Sequence, residues 1–369
     1  MRRVTRRMIR WGRVTTPCLV AVVVLLAASV GTAQSPDRVK LTERGEVQGE
    51  IVSLSPNDVE VLDARTEETV RVPIDRVREV VFGAEPDSLR SARTMLLRQD
   101  PAGALAELDK VEQAELDGSA DNVLTEMDFV RAAGTARAAT ATGSGLDAAE
   151  KAIREFVAKR PRSHHFYAAH EILGDLLARA GKYDAAAAAY AVLEKGPPAL
   201  RVRAAAAKAG LLFEQKQYAA AQKEYGSAAA IDTDPKDATS AAQKRYAELG
   251  AARCLVRQGK PADVVPLVRG VVAAASPDDR ELLARAFNVL GDAYAAVGGK
   301  EQDALIAYLT VDLVFNTVPD SHAEALFNLA RLWQKAQNPE RSRAAKQALE
   351  TSYPDSRWNR QLATGASGG

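Results

Sequence analysis

The pattern of apolar and polar positions divides the chain into three regions. Residues 18–30 are a continuous apolar run, and residues 37–84 contain short runs rich in valine and isoleucine with partial alternation. From residue 86 onward, apolar residues recur at intervals of three and four between short breaks. Alternation predicts β-strands, and the longer interval predicts amphipathic α-helices. The chain is therefore expected to be mainly α, with a small β region before the helices.

Five short segments of the β region have strand character: VKL, EIVSL, DVEVLDA, TVRVPI and VREVVF. Turn-forming residues separate them, as in Ser55-Pro56-Asn57-Asp58. Five such short strands cannot bury both faces of an open sheet, whereas closure removes the exposed edges and makes one core. We therefore predict a small five-stranded β-barrel over residues 34–85.

The spacing in this region resembles the Sm-like fold, and many SH3-like barrels share it. The resemblance rests on Val39–Leu41, Gly45, Gly49–Ile51, Val59–Val61 and Val77–Val80. Sm-like proteins commonly bind RNA, but the loop residues that make those contacts have no counterpart here. The resemblance implies the fold and not the RNA-binding function.

The clearest helical unit spans residues 173–190, LGDLLARAGKYDAAAAAY. In this unit Gly174 would let the two helices of a hairpin touch, and Gly181 would support the turn. Ala186 would keep the next crossing close, and Tyr190 would fill the space between hairpins. The unit resembles the tetratricopeptide repeat, a helix-turn-helix of 34 residues.

The unit recurs with decreasing fidelity along the chain, at an offset of 35 residues in Tyr218 and Tyr225 and again over residues 290–308. The resemblance implies a tetratricopeptide-like α-solenoid of about seven helical hairpins. We expect repeat-like hairpins over residues 86–160, closer repeats over residues 161–355 with a more polar capping unit at the end, and a disordered tail over residues 356–369.

The N-terminal region has the features of an export signal. Six arginines and no acidic residue precede the apolar run Cys18–Val30, and small residues up to Ala33 follow it. As a helix, this run of thirteen residues would span only about 20 Å, less than the roughly 30 Å of a bilayer core. We expect a signal peptide over residues 1–33, cleaved near Ala33, with an uncleaved tilted anchor as the alternative. Export would place the mature protein in the periplasm or cell envelope.

The charge balance argues against nucleic acid as a partner. The whole chain has a net charge of +1, and removal of the six N-terminal arginines changes it to −5. Binding to nucleic acid generally needs a basic stripe that displaces counterions. A mildly acidic mature chain therefore favours other partners.

The sequence contains little recognisable site chemistry. His164, His165 and His170 are spaced by one, five and six residues, whereas ligands on one helix face need spacings of three or four. We interpret them as ordinary hydrogen-bonding histidines at a loop-to-helix junction and predict no metal or cofactor site.

After cleavage Cys254 would be the one remaining cysteine, in an apolar helical context typical of a buried thiol. Catalytic motifs such as G-x-S-x-G and H-E-x-x-H do not occur, so we expect a protein that is not an enzyme.

A solenoid leaves a concave surface lined by the first helix of each hairpin, and the tetratricopeptide resemblance implies that this groove binds a segment of a partner. The positions that the resemblance assigns to the groove lie mainly on one face of each first helix. They are Glu171, Asp175, Arg179, Arg203, Phe213, Glu214, Tyr246, Arg253, Arg257, Arg285, Asn288, Asp292, Phe327, Arg331 and Lys335. The excess of basic groups toward the C-terminal end favours an acidic partner segment.

These features predict an exported, non-enzymatic protein-binding scaffold of the cell envelope, with a protein or peptide partner and no membrane span after signal cleavage. Two alternatives remain open, namely a structural envelope protein that self-associates and an enzyme whose site has no recognisable motif. A pull-down from envelope extract distinguishes them, because a discrete partner favours the scaffold and recovery of the protein itself favours self-association.

The export prediction has a direct test. We expect the mature protein to begin at Gln34 or within a few residues of it, because cleavage follows small residues after the apolar run. N-terminal sequencing of protein from the envelope fraction measures this. An intact Met1 on protein from the cytoplasmic fraction would contradict the prediction.

Overall fold

The computed structural model of the protein describes residues 35–42, 44–117 and 119–365. The predicted signal peptide, residues 1–33, lies outside the described residues. In the described part of the chain, five β-strands are followed by sixteen α-helices. None of the described helices combines the length and the apolar character needed to cross a bilayer.

All five predicted strand segments are present, and they form one antiparallel sheet. The strands are β1 (Asp37–Leu41), β2 (Glu46–Leu54), β3 (Asp58–Asp63), β4 (Thr69–Pro73) and β5 (Val77–Val81). Strands β1 to β4 pair with their sequence neighbours, and β5 returns to pair with β1, so that the order is β4-β3-β2-β1-β5. In this register Val39 lies opposite Val80.

The prediction of a closed barrel is wrong, because the sheet is open. Its edges are β4 and β5, and among the described residues no ladder joins them. Valines of the sheet, including Val39, Val59 and Val80, are almost fully buried in one core with Leu89 and Ala92 of the first helix. The helices thus cover the apolar face that closure would otherwise have to bury. The resemblance to Sm-like and SH3-like barrels is not confirmed for the same reason.

Seven pairs of consecutive helices pack as hairpins in the described chain, which agrees with the number that the repeat pattern predicted. The pairs are α1 (Asp87–Leu97) with α2 (Pro101–Leu108), α4 (Asp121–Thr142) with α5 (Leu146–Lys159), α6 (Phe166–Arg179) with α7 (Tyr183–Ala191), α8 (Pro198–Glu214) with α9 (Tyr218–Ala229), α10 (Ala238–Arg257) with α11 (Pro261–Ala274), α12 (Arg280–Val297) with α13 (Glu301–Val314), and α14 (Pro319–Lys335) with α15 (Pro339–Ser352). The short α3 (Gln113–Leu116) lies between the first two pairs, and α16 (Arg357–Ala363) follows the last. First helices of neighbouring hairpins, such as α8, α10 and α12, also pack on one another, which makes them the inner layer of the solenoid.

A tyrosine of the second helix lies directly against a glycine of the first helix in two of these hairpins. A Cβ at Gly174 would lie 2.3 Å from Cε1 of Tyr190, and a Cβ at Gly291 would lie 2.5 Å from Cε1 of Tyr308. Both tyrosines are buried. The helix contact that the sequence assigned to Gly174 is therefore present, and its partner is the aromatic ring at the end of the repeat.

The hydroxyl groups of these tyrosines are held by the residue after each glycine. Tyr190 donates to Oδ1 of Asp175 at 2.7 Å, and Tyr308 donates to Oδ1 of Asp292 at 2.6 Å. A buried tyrosine needs such a partner for its O–H group. The same contact thus occurs in both hairpins: a Gly-Asp pair on the first helix receives the ring and the hydroxyl of a tyrosine on the second.

The turns inside several hairpins place one residue in the left-handed region. Gly181 and Gly259 have φ values of +73° and +76° in two of these turns. In other hairpins the residue is Gln99, Lys216 or Gln337, with φ between +55° and +61°. A side chain in this region costs about 1–2 kcal/mol, so these turns carry strain that glycine avoids.

The prediction of a disordered tail over residues 356–369 is wrong for residues 357–363, which form α16. Trp358 is buried against Phe327 of α14, with ring centroids 5.5 Å apart. The hydroxyl of Ser356 caps the helix by accepting from the backbone N–H of Asn359 at 3.1 Å. Nη1 of Arg360 donates to the carbonyl of Thr142 at 3.1 Å, so the last helix reaches the end of α4. Residues 366–369 lie outside the described residues.

The sheet contacts the solenoid at the ends where its inner helices begin. Asn57 accepts from the hydroxyl of Tyr167 at 3.1 Å, and Arg44 donates to Asp278 at 2.9 Å. Asp75 accepts from the backbone N–H of Ala199. These partners lie at or just before the N-terminal ends of α6, α8 and α12, so the sheet contacts one rim of the solenoid at three points.

Replacement of Gly174 tests the glycine–tyrosine contact. We expect Gly174→Ala to lower the free energy of unfolding by about 1–3 kcal/mol, because the added methyl group overlaps a buried ring that Asp175 holds in place. Gly174→Leu should be at least as destabilising. Urea denaturation of the purified protein measures the change.

Gly226 of α9 is the matched control, because nothing lies within 4 Å of a Cβ built there. Gly226→Ala should raise the free energy of unfolding by about 0.5–1 kcal/mol through helix propensity alone. If both variants shifted stability in the same direction and by the same amount, the contact would not constrain the hairpin.

Candidate functional site

The inner face of the solenoid carries charged side chains from successive first helices. We define the inner channel by the groups that interact electrostatically across this face. They are Arg137, Glu171, Asp175, Arg203, Arg253, Glu281, Arg285, Asp292, Asp320 and Glu324. Several of these groups come from helices that are distant in sequence, since Arg137 of α4 and Arg203 of α8 both interact with Glu281 of α12. The channel is therefore narrow enough for non-adjacent hairpins to influence one another.

The N-terminal part of the channel contains an ion-paired cluster. Nε of Arg203 lies 2.6 Å from Oε1 of Glu171, and the attraction of Glu171 raises the pKa of Arg203. Loss of hydration, with the nearby charge of Glu171, raises the pKa of Asp175 to about 6. Loss of hydration also lowers the pKa of Arg137, whose Nη1 donates to the carbonyl of Leu96 at 3.0 Å. The carboxylates and guanidinium groups here largely offset one another.

The arginines of the channel are accessible to water and yet strongly desolvated. The side chains of Arg203 and Arg285 are 45% and 53% exposed. Loss of hydration is nevertheless the largest single influence on the pKa of Arg285, although the attractions of Glu281, Tyr246 and Asp320 together outweigh it and raise that pKa. Groups on an open convex surface would keep their hydration. This combination is expected for side chains on a concave surface, where a ligand's charge is screened less by water than on a convex one.

Two arginines of the channel lie over aromatic rings. The guanidinium carbon of Arg253 is 5.3 Å from the ring centroid of Phe213, and that of Arg285 is 5.6 Å from the ring centroid of Tyr246. Arg331 lies in the same way over Phe327, at 5.3 Å. Stacking holds a guanidinium in a fixed plane and leaves its edge available for a carboxylate.

Two of the predicted groove residues are structural. Asn288 is buried, and its Nδ2 donates to the carbonyl of Ser321 at 2.9 Å and to Oε2 of Glu324 at 3.2 Å. Phe327 is buried in the core with Trp358. Assignment of Asn288 and Phe327 to a partner-contacting surface is therefore wrong, because both side chains are buried against neighbouring helices.

Two predicted groove residues of the C-terminal half, Arg253 and Lys335, are engaged in contacts within the protein. Nη2 of Arg253 lies 3.4 Å from Oε1 of Glu324, which links α10 to α14. Loss of hydration raises the pKa of Glu324, and Arg253 opposes that rise. Lys335 pairs with Glu301 at 3.1 Å.

Other predicted groove residues differ in their hydrogen bonds and in their exposure to solvent. Arg179 donates to the carbonyl of Thr140 at 3.2 Å, and Tyr246 donates to Asp279 at 2.9 Å. Glu214 is exposed and Arg257 is half-buried. Within the described part of the chain, neither Arg257 nor Arg331 has a carboxylate partner in an ion pair.

The sequence analysis missed Arg137, Glu281 and Glu324 as members of the channel. Arg137 belongs to a hairpin whose spacing departs from the repeat, so alignment to the repeat could not place it. Glu281 and Arg285 are four residues apart on α12, with Nη2 and Oε1 at 2.5 Å, and this spacing was a usable signal. Glu324 is nearly fully buried, and the sequence carried no sign of it.

The histidine segment forms a second cluster that the sequence did not predict. Glu126 of α4 lies with His164 and His165, and all three ligand atoms are within 4.8 Å of one another. Burial alone would raise the pKa of Glu126, but the attraction of His165 and Arg93 outweighs it and lowers that pKa. Burial lowers the pKa of His164 to about 3, which keeps its imidazole neutral.

Cys254 is a core residue, as the sequence indicated. Cys254 is fully buried, and burial raises the pKa of its thiol to about 11. A thiol in this state is a poor nucleophile.

Comparison with known proteins identifies solved structures of similar fold but no protein family to which the chain belongs. No protein-family model matches the sequence, and no curated protein matches it. Among solved structures, the chain is similar to a Rap protein complexed with Competence and Sporulation Factor, with a TM-score of 0.50 and 12% identity over 75% of this chain and 78% of that one. It is also similar to a tetratricopeptide repeat protein from Parabacteroides merdae (TM-score 0.47, 14% identity, 76% of this chain and 95% of that one) and to the apo form of RapI (0.44, 13%, 75% and 79%). The first likeness, together with the seven hairpins, supports a tetratricopeptide-like fold for the helical part of the chain.

Proposed function

We propose that this protein is an exported, non-enzymatic scaffold of the cell envelope that binds a segment of a partner protein in its inner channel. The observation that carries the proposal is the set of arginines stacked on aromatic rings along the first helices. Arg253, Arg285 and Arg331 each lie over an aromatic ring, which orients the guanidinium before any ligand arrives. An ordered, partly desolvated guanidinium binds a carboxylate at two points with little further loss of entropy.

The fold supports a binding role. The Rap protein that resembles this chain was solved in complex with Competence and Sporulation Factor. Stacks of helical hairpins offer an extended concave surface, and an extended or helical segment is the ligand shape that such a surface accommodates.

The partner segment is expected to be acidic, although the channel is less basic than the sequence suggested. Glu324 offsets Arg253 and Glu281 offsets Arg285. Arg257 and Arg331, two of the predicted groove residues, have no such partner within the described residues, and Arg331 interacts with Tyr308 together with Asp292 of the channel. Their charges are therefore the ones most available to carboxylates of a ligand. The envelope location rests on the N-terminal arginines and apolar run alone.

A double charge reversal tests the channel. We expect Arg257→Glu with Arg331→Glu to weaken binding of the natural partner at least tenfold and to leave the melting temperature nearly unchanged, because neither side chain takes part in an ion pair of the fold. Arg253 is left intact, since a glutamate there would face Glu324 and destabilise the packing of α10 on α14.

The measurement is a pull-down of the mature protein from envelope extract, followed by titration of the retained partner at low and high salt. The matched control reverses two exposed cations on outer helices, Lys223 of α9 and Arg343 of α15. Loss of binding in the channel variant and not in the control supports the proposal, and binding should weaken as salt increases. Equal affinity of both folded variants would place the partner outside the inner channel.

A further inference from the structure

Glu126, His164 and His165 converge at a buried point between α4 and the turn before α6. Oε2 of Glu126 lies 2.7 Å from Nε2 of His165 and 3.6 Å from Nε2 of His164. Glu126 is fully buried, and His164 is 5% exposed. Two imidazole nitrogens therefore approach the same carboxylate oxygen in a space from which water is largely excluded.

The local backbone explains why neighbouring residues can point to one place. Residues 160–165 form turns and not a helix, so the rule that helical ligands need spacings of three or four does not apply. The backbone N–H of His165 donates to Oγ of Ser163 at 3.1 Å. In this turn the two imidazole rings lie side by side, with centroids 3.8 Å apart.

The rest of the surroundings holds the cluster in place. Phe129 stacks on the His165 ring, with centroids 3.6 Å apart and planes 6° apart. Nη1 of Arg93 lies 3.3 Å from the other carboxylate oxygen, Oε1 of Glu126. Arg93 also pairs with Glu79 and Glu85, so its own charge is already offset.

One hydrogen bond between His165 and Glu126 does not satisfy all the polar atoms of this cluster. If His165 donates to Oε2 of Glu126, then Nε2 of His164 is left buried with no hydrogen-bond partner. A buried polar atom without a partner costs free energy, and native structures rarely contain one without a reason. One cation bound by both imidazoles and the carboxylate would satisfy all three atoms.

We propose that Glu126, His164 and His165 form a binding site for a divalent transition-metal cation of the Zn²⁺ class. Two imidazoles and one carboxylate are ligands that zinc prefers, whereas Ca²⁺ and Mg²⁺ prefer sites made of oxygen atoms. Ligand atoms around a tetrahedral zinc lie about 3.4 Å apart. Nε2 of His164 is already 3.6 Å from Oε2 of Glu126, whereas Nε2 of His165, at 2.7 Å, would have to move outward to bind the same cation. Arg93 holds the second oxygen of Glu126 from behind, as outer groups of metal sites commonly do.

The site is structural. It joins α4 to the entry of α6, and through Arg93 it contacts the acidic residues that tie α1 to the sheet. A bound cation would therefore stabilise the junction between the sheet and the hairpins, independently of any ligand in the inner channel.

The test uses the full chain, prepared without a histidine tag and treated with a chelator. We expect Zn²⁺ to bind with a stoichiometry of one in isothermal titration and to raise the melting temperature by about 5 °C at a large excess over the dissociation constant. Mg²⁺ should do neither. Co²⁺ should give the intense visible absorption of a four- or five-coordinate site with nitrogen and oxygen ligands.

Variants of two of the ligands, His164 and Glu126, separate this site from others. His164→Ala and Glu126→Gln should each weaken Zn²⁺ binding at least tenfold and abolish the rise in melting temperature, whereas His170→Gln, a nearby histidine outside the cluster, should keep both. His164→Gln serves if His164→Ala does not fold. Absence of Zn²⁺ binding to the wild-type chain, or unchanged affinity in the folded His164 and Glu126 variants, would overturn the proposal.

Discussion

The solenoid depends on the close approach of two helices that a glycine makes possible. In the hairpins α6/α7 and α12/α13, the tyrosine of the second helix lies where a side chain of the first helix would be, and its hydroxyl is fixed by the next residue, an aspartate. Tyr225 of α9 contacts Gly250 of α10 in a similar way, across the boundary between two hairpins. Because the first helices are brought this close to the second, they also pack on one another and enclose the inner channel. The aspartates that anchor the tyrosines belong to the same channel, so one contact both sets the packing distance and places negative charge on the inner face.

The sheet and the hairpins are joined by a buried ionic network as well as by an apolar core. Arg93 of α1 lies among Glu79, Glu85 and Glu126, and all four are almost completely buried. Removal of one member of such a network leaves an uncompensated charge away from water, which makes the arrangement specific even where its net contribution to stability is small. The same helix, α1, carries Arg93 and covers the apolar face of the open sheet with Leu89 and Ala92.

Internal ion pairs limit what the channel can recognise. The pairs Glu171–Arg203, Glu324–Arg253 and Glu281–Arg285 each use a cation that a ligand would otherwise meet. A partner segment of the kind proposed would have to compete with these carboxylates or bind the cations that lack one. Selectivity for such a segment would then depend on where the unpaired arginines lie and not on the average charge of the groove.

Local patterns in the sequence determined most of the secondary structure and the hairpin order. Strand alternation located β1 to β5, the helical period and breaks located seven hairpins, and the repeat spacing identified Gly174 as a helix contact. These features depend on residues within about one hairpin of each other, and periodicity records such neighbours.

Only the tertiary structure decided whether the sheet closes, since that depends on α1 covering its face. It likewise decided that Trp358 orders α16, because Phe327 lies on another helix, and that Asn288 is buried between α12 and α14. Glu126 meets His164 and His165 across a separation of almost forty residues, and the turn that aligns the two histidines has no periodic signal. Contacts of this kind are set by how hairpins stack in space, and a pattern along one chain does not encode which distant side chains will meet.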